Sequence, residues 1–285
     1  MYTDLTKIPV IDSHVHVFPK KISDAIRRWF DRYAWNFKYE GNLEELVQAQ
    51  FDHGISGLVF LTYAHRPGIS EELNAFVSKL IEKFPNTVGL GAVHPGDDRP
   101  RDITKRALEE WGLCGIKLHC HVLKMPPDDP FLFPVYELLE EAGGILTIHA
   151  GREPAIDAYG TDVRLICGAE RTHNVLKRFP ELKMIVPHLG FDEPDLFYNM
   201  LEQYKNLYLD TTMMMGKFFN MQIDREKLIK YSERILYGSD YPHIPYEMER
   251  EVKAIVEMDL GEDATGKILF ENAARLFPFH FNESI

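Results

Sequence analysis

The sequence predicts an α/β fold: one (β/α)8, or TIM, barrel domain spanning residues 1–285, with an extra helix near its C-terminal end. Three observations predict it. Eight short apolar runs alternate with helical stretches, the pattern of parallel strands joined by right-handed crossovers. No Pro/Ser-rich linker or low-complexity tract interrupts them, so nothing marks a domain boundary. The turn after the first strand carries histidines, where a doubly wound nucleotide-binding sheet would place glycines.

The first strand is Val10–Val17, a run rich in β-branched residues between Pro9 and Phe18-Pro19. An aromatic segment, residues 18–41, follows it and carries Trp29, Phe30, Tyr33, Trp35, Phe37 and Tyr39. Asn42 caps a helix over Leu43–Asp52 and Gly54 closes it. Strand two is Gly57–Thr62, and the helix capped by Ser70 ends at Phe84-Pro85-Asn86. Strand three is Val88–Val93, with helix Asp102–Trp111 after it; strand four is Gly115–His119, with helix Val135–Ala142 beyond a Pro-rich loop. Strand five is Ile145–His149, followed by a helix over Val163–Phe179. Lys183–Pro187 is strand six, Glu193–Tyr204 its helix, and Leu207–Leu209 strand seven. A helix over Asp224–Ser232 precedes strand eight, Ile235–Tyr237; helices Tyr246–Met258 and Ala264–Leu276 complete the pattern.

Composition narrows the function classes. With 45% hydrophobic and 27% charged residues the chain has the make-up of an ordinary soluble globular protein. No apolar run reaches the ~18 residues of a membrane span. The first residues lack a basic stretch followed by an apolar one, so no secretory signal is expected. A net charge of −12 argues against nucleic acid as a partner. Three scattered cysteines, Cys114, Cys120 and Cys167, make no disulfide framework and read as small buried hydrophobes in a cytoplasmic protein.

A barrel places its chemistry at the C-terminal ends of the strands. Nine of the twelve histidines fall at those ends: His14, His16, His65, His94, His119, His121, His149, His188 and His243. Chance would place about two or three there, since strand ends make up roughly a fifth of the chain. His14 and His16 share one face of the first strand with Asp12, so both imidazoles can reach one ion. The pair alone does not separate a metal half-site from satisfied buried histidines. His149 on strand five and Asp240 after strand eight would complete the set. Three imidazoles and a carboxylate suit one divalent metal, Zn²⁺ first, with Mn²⁺, Fe²⁺ or Co²⁺ as alternatives, and nothing points to an organic cofactor. His188, ending strand six, is placed to orient or deprotonate water, or to protonate a substrate.

Other residues leave two readings open. Lys117 and His119 share a strand face; Lys117 suits an ion pair with a substrate carboxylate or with Asp210, and His119 suits packing as well as substrate contact. Arg152 either clamps an anionic substrate or makes a surface salt bridge with Glu153 or Asp157. Asp12 reads as the carboxylate that orients a histidine, or as a structural hydrogen-bonding group. The aromatic segment and Met213–Met215 are either a lid or exterior packing.

Taken in order, Asp12-Ser13-His14-Val15-His16, Gly115–His119, Ile148-His149-Ala150-Gly151, Arg178–Gly190, Tyr237–Pro242 and Ile268–Phe277 resemble the amidohydrolase superfamily. Within it they resemble the amidohydrolase-2 group, which contains aminocarboxymuconate semialdehyde decarboxylase-like enzymes. The resemblance implies His14, His16, His149 and Asp240 as ligands of one catalytic metal and His188 as the base. In binuclear relatives the strand-four lysine is carbamylated and bridges two metals; the motif around Lys117 favours one. The expected function is a metal-dependent hydrolase, metal-activated water attacking a C–N or C–O bond of a small, carboxylate-bearing substrate. His188 and Asp240 would manage the protons, and Arg152, Lys117 and His119 would bind the substrate. The alternative is a metal-dependent, non-oxidative decarboxylase of a small carboxylic acid. The expected partner is a small anionic molecule, with no nucleic acid and no membrane. A homodimer follows from the resemblance only.

Overall fold

In the computed structural model, residues 1–152 and 157–281 are described. Eight strands form one sheet: β1 (Ile11–His16), β2 (Gly57–Leu61), β3 (Thr87–Ala92), β4 (Gly115–His119), β5 (Ile145–His149), β6 (Lys183–Val186), β7 (Leu207–Asp210) and β8 (Ile235–Leu236). Their order is the order of the sequence, β1 to β8, and helices flank the parallel strands, so the fold is the expected (β/α)8 barrel. No helix among the described residues is long and apolar enough to cross a membrane.

The chain divides into two compact units. The first comprises Met1–Phe60, Phe84–Val88 and Asp210–Ile285. Its centre is β1, buried along its whole length. Backbone bonds hold β1 to the stretch after β8: Ser13 N donates to Tyr237 O (3.0 Å), Asp240 N to His14 O (3.0 Å) and His16 N to Tyr241 O (2.8 Å). The C-terminal helix runs from Glu262 to Leu276 through a π-helical stretch, Lys267–Glu271. Buried Asn272 ties it to this unit, donating to the carbonyls of Ser232 (2.6 Å) and Ile235 (2.8 Å).

The second unit comprises Leu61–Lys83 and Gly89–Leu209. Its strands pair in parallel, with Lys117 opposite Thr147 and His119 opposite His149. Gly115 permits this pairing: a Cβ there would fall on the carbonyl oxygen of Ile145.

Several element boundaries differ from those read in the sequence. The helix expected over Val163–Phe179 is two, Val163–Ile166 and Ala169–Arg178. Gly168 breaks it, at φ 125°, with its N–H bonded to Ala150 O (2.7 Å) rather than to the preceding turn. The helix expected from Tyr246 begins at Arg250, because Met248 N donates to Tyr39 Oη (2.8 Å) and Tyr246 to Glu251. The aromatic segment contains a helix, Lys20–Tyr33, and Cys120–Leu123 forms one turn where a loop was expected.

Met213–Met215 are buried in the first unit. The buried Glu251 carboxylate holds this stretch, accepting from Met215 N (2.8 Å) and Tyr246 Oη (2.8 Å). Burial raises the Glu251 pKa above its usual value, against the pull of those bonds. A carboxyl whose pKa is raised on folding binds its proton more tightly in the native state. Stability therefore falls as pH climbs from the ordinary carboxylate value through the raised one. Glu251→Gln is expected to flatten the dependence of unfolding temperature on pH over that window. Glu251→Ala, which strands two donors, is expected to cost roughly 2–4 kcal/mol in a denaturant titration.

Candidate active site

In the first unit, alternation along β1 sends His14 and His16 to one face, and the backbone bonds above bring Asp240 to them. His14 Nε2 lies 3.4 Å and His16 Nε2 3.0 Å from Asp240 Oδ1. One ligating atom from each of the three falls within 4.8 Å of the others, and all three residues are buried. On its far side, His14 Nδ1–H donates to Asp210 Oδ2 at 2.8 Å. That bond assigns the tautomer and leaves the Nε2 lone pair for the group, the carboxylate–histidine arrangement that serves metal ligands. Two imidazole nitrogens and one carboxylate oxygen, buried and backed by a second carboxylate, fit a divalent transition metal. Asp240 adopts φ 73°, in the left-handed region.

Asp12 does not orient an imidazole. Its carboxyl accepts from the N–H of His14 (3.0 Å), the N–H of Ser239 (3.0 Å) and the Ser239 hydroxyl, clamping β1 to the stretch that carries Asp240. Burial raises the Asp12 pKa to about 7 despite those bonds. Asp210, at the end of β7, supplies the orienting carboxylate instead. His243 is also buried here; its ring stacks on that of His16 at 4.9 Å and 16°. Burial, followed by the nearby His16, holds its pKa well below the usual imidazole value.

The second unit gathers a different set of rings. The β4–β5 register stacks His119 on His149 at 4.1 Å and 20°. His188 lies 4.7 Å and His121 5.0 Å from His149, and Tyr63 lies 5.1 Å from His119. Lys117, at the middle of β4, is fully buried. Burial lowers the pKa of His149 far below the usual value, and His119, His188, His121 and Lys117 add to that by repulsion. Burial thus favours the neutral imidazole of His149, the form a metal requires. Among the described residues, the three-residue ligand group of the first unit does not include His149. His188 has φ 57° and Leu189 φ 52°, so the chain leaves β6 through two non-glycine left-handed residues.

Arg152 pairs with Glu193 (Nη1–Oε1 3.1 Å), and its Nε–H donates to Cys167 O (3.4 Å). Its partner is therefore a residue the sequence did not suggest. Glu153 and the Asp157 side chain lie outside the described residues. His121 Nε2–H donates to Gly151 O (3.1 Å). His65 and His94 stand partly exposed on loops, their pKa values lowered chiefly by burial.

The amidohydrolase family profile matches residues 11–279, and the chain belongs to that family. A search of the curated proteins finds no match. Solved structures with the same fold include an uncharacterised TIM-barrel protein from Bordetella bronchiseptica (TM-score 0.72, 20% identity, covering 94% of this chain and 98% of that one). Another is 5-carboxyvanillate decarboxylase from Sphingomonas paucimobilis (TM-score 0.68, 19% identity, 96% and 100%). A third is 5-carboxyvanillate decarboxylase from Novosphingobium aromaticivorans, complexed with manganese and 4-hydroxy-3-methoxy-5-nitrobenzoic acid (TM-score 0.68, 17% identity, 95% and 96%).

Proposed function

We propose that this amidohydrolase-family chain is a metal-dependent hydrolase of a C–N or C–O bond in a small, carboxylate-bearing molecule. The convergence of His14 and His16 Nε2 on Asp240, with Asp210 holding His14 from behind, carries the reading. His14, His16 and Asp240 would hold the ion, with Zn²⁺ the proposed metal; the ligand role of His149 and the proton-handling role of His188 rest on the family pattern. When bound, a divalent ion supplies Lewis acidity and activates water near neutral pH. Asp240 and His188 would accept and return protons. Buried Lys117, with His119 and Arg152, would attract and orient a carboxylate. The three cysteines are free thiols, which suits the proposed cytoplasmic location. A homodimer is proposed on the family resemblance alone.

Non-oxidative decarboxylation is the second reading. Lys117 and the three histidines around His149 are equally suited to gripping a carboxylate, and two of the structures of like fold are decarboxylases. The test is metal analysis per chain, followed by a screen of cyclic amides, lactones and aromatic or muconate-like acids, with CO2 and ring opening followed together. About one equivalent of metal with ring opening supports hydrolysis; CO2 release without ring opening overturns hydrolysis in favour of decarboxylation. A protein that takes up no metal overturns both.

A further inference from the structure

A histidine ring turns broadly about its Cβ–Cγ bond, so a strand does not by itself fix where Nε2 points. The two β1 ligands meet this problem differently. The ring of His14 is held by its bond to Asp210 (2.8 Å). The ring of His16 lies against a flat stack. His243 faces it at 4.9 Å and 16°, and Phe37 continues the stack beyond His243 at 4.7 Å and 15°. Phe18 stands nearly parallel to both imidazoles, 6.0 Å from each. The backbone of His243 is anchored on both sides: its N–H donates to Asp240 O (2.9 Å), and Trp35 Nε1–H donates to its carbonyl (2.8 Å). One residue therefore presses on the ring of one proposed ligand and bonds to the main chain of another.

We propose that His243 is a positioning residue for the metal group, its imidazole face setting the ring plane of His16, with Phe37 as the backing. The inference rests on the metal reading above. It gives the aromatic segment after β1 a defined task, through contacts made within one unit, and requires the flat face of His243 rather than its nitrogens.

The test measures Zn²⁺ and Mn²⁺ affinity of the metal-stripped full chain by competition with a chromogenic chelator, and the visible spectrum after Co²⁺ loading. His243→Phe keeps a flat ring and is expected to bind within about threefold of wild type, with an unchanged Co²⁺ spectrum. His243→Ala is expected to bind about 10- to 100-fold more weakly, the usual cost of losing a ligand's support. Wild-type affinity in His243→Ala, or equal losses in both variants, overturns the proposal. Should His243→Ala fail to fold, Phe37→Leu decides: a loss of about threefold or more supports the stack, and no loss overturns it. A wild-type protein that binds neither ion overturns the metal reading itself and this proposal with it, a result distinct from wild-type binding that the variants leave unchanged.

Discussion

Joint replacement of His14 and His16 by alanine is expected to empty the metal group while leaving the barrel folded. The change removes two of the three donors that converge within 4.8 Å, and Asp240 alone offers a single carboxylate. Each lost support to a ligand costs about 10–100-fold in affinity, and loss of two ligands themselves costs more, at least about 10³-fold. Metal measured on the purified variant should fall from about one equivalent to below about a tenth. Both imidazoles are buried, so the variant also sheds two polar groups from a buried region, and far-ultraviolet circular dichroism should stay that of the wild type. Stoichiometric metal in the double variant would overturn the ligand assignment.

His188→Asn is expected to do the opposite: metal content near that of the wild type, and turnover lower by about 10²–10⁴-fold, the usual contribution of a positioned acid or base. His188 is buried at the end of β6, 4.7 Å from the ring of His149. Asparagine keeps a polar side chain of smaller size there but cannot exchange a proton near neutral pH. Single-turnover rates alongside metal analysis separate the two functions. Near-wild-type turnover would remove His188 from the proton path.

Much of this was legible in the sequence because strand period and barrel topology are both simple rules. Alternation in β1 puts His14 and His16 on one face, and the strand-end rule picks out His119, His149 and His188 from the sequence alone. The same rule could have found the orienting carboxylate, since Asp210 is the last residue of β7. Sharing a face with the histidines left Asp12 both readings, orienting and structural, and its carboxyl turns to backbone N–H groups and Ser239, the structural one. Spacing says where a side chain starts and not which donor it meets. The partner of Arg152 was hidden for a related reason: Glu193 is 41 positions away in sequence by number, and only the fold brings them together. The ring stack on His16 joins Phe37 to His243, residues far apart in the chain, so no local pattern could announce it.

The backbone at His188 carries one more consequence. A histidine at φ 57° costs on the order of 1 kcal/mol or more, and asparagine tolerates that conformation better. Backbone strain therefore does not oppose His188→Asn, and a fall in the melting temperature of that variant measures the buried ring contacts that asparagine lacks.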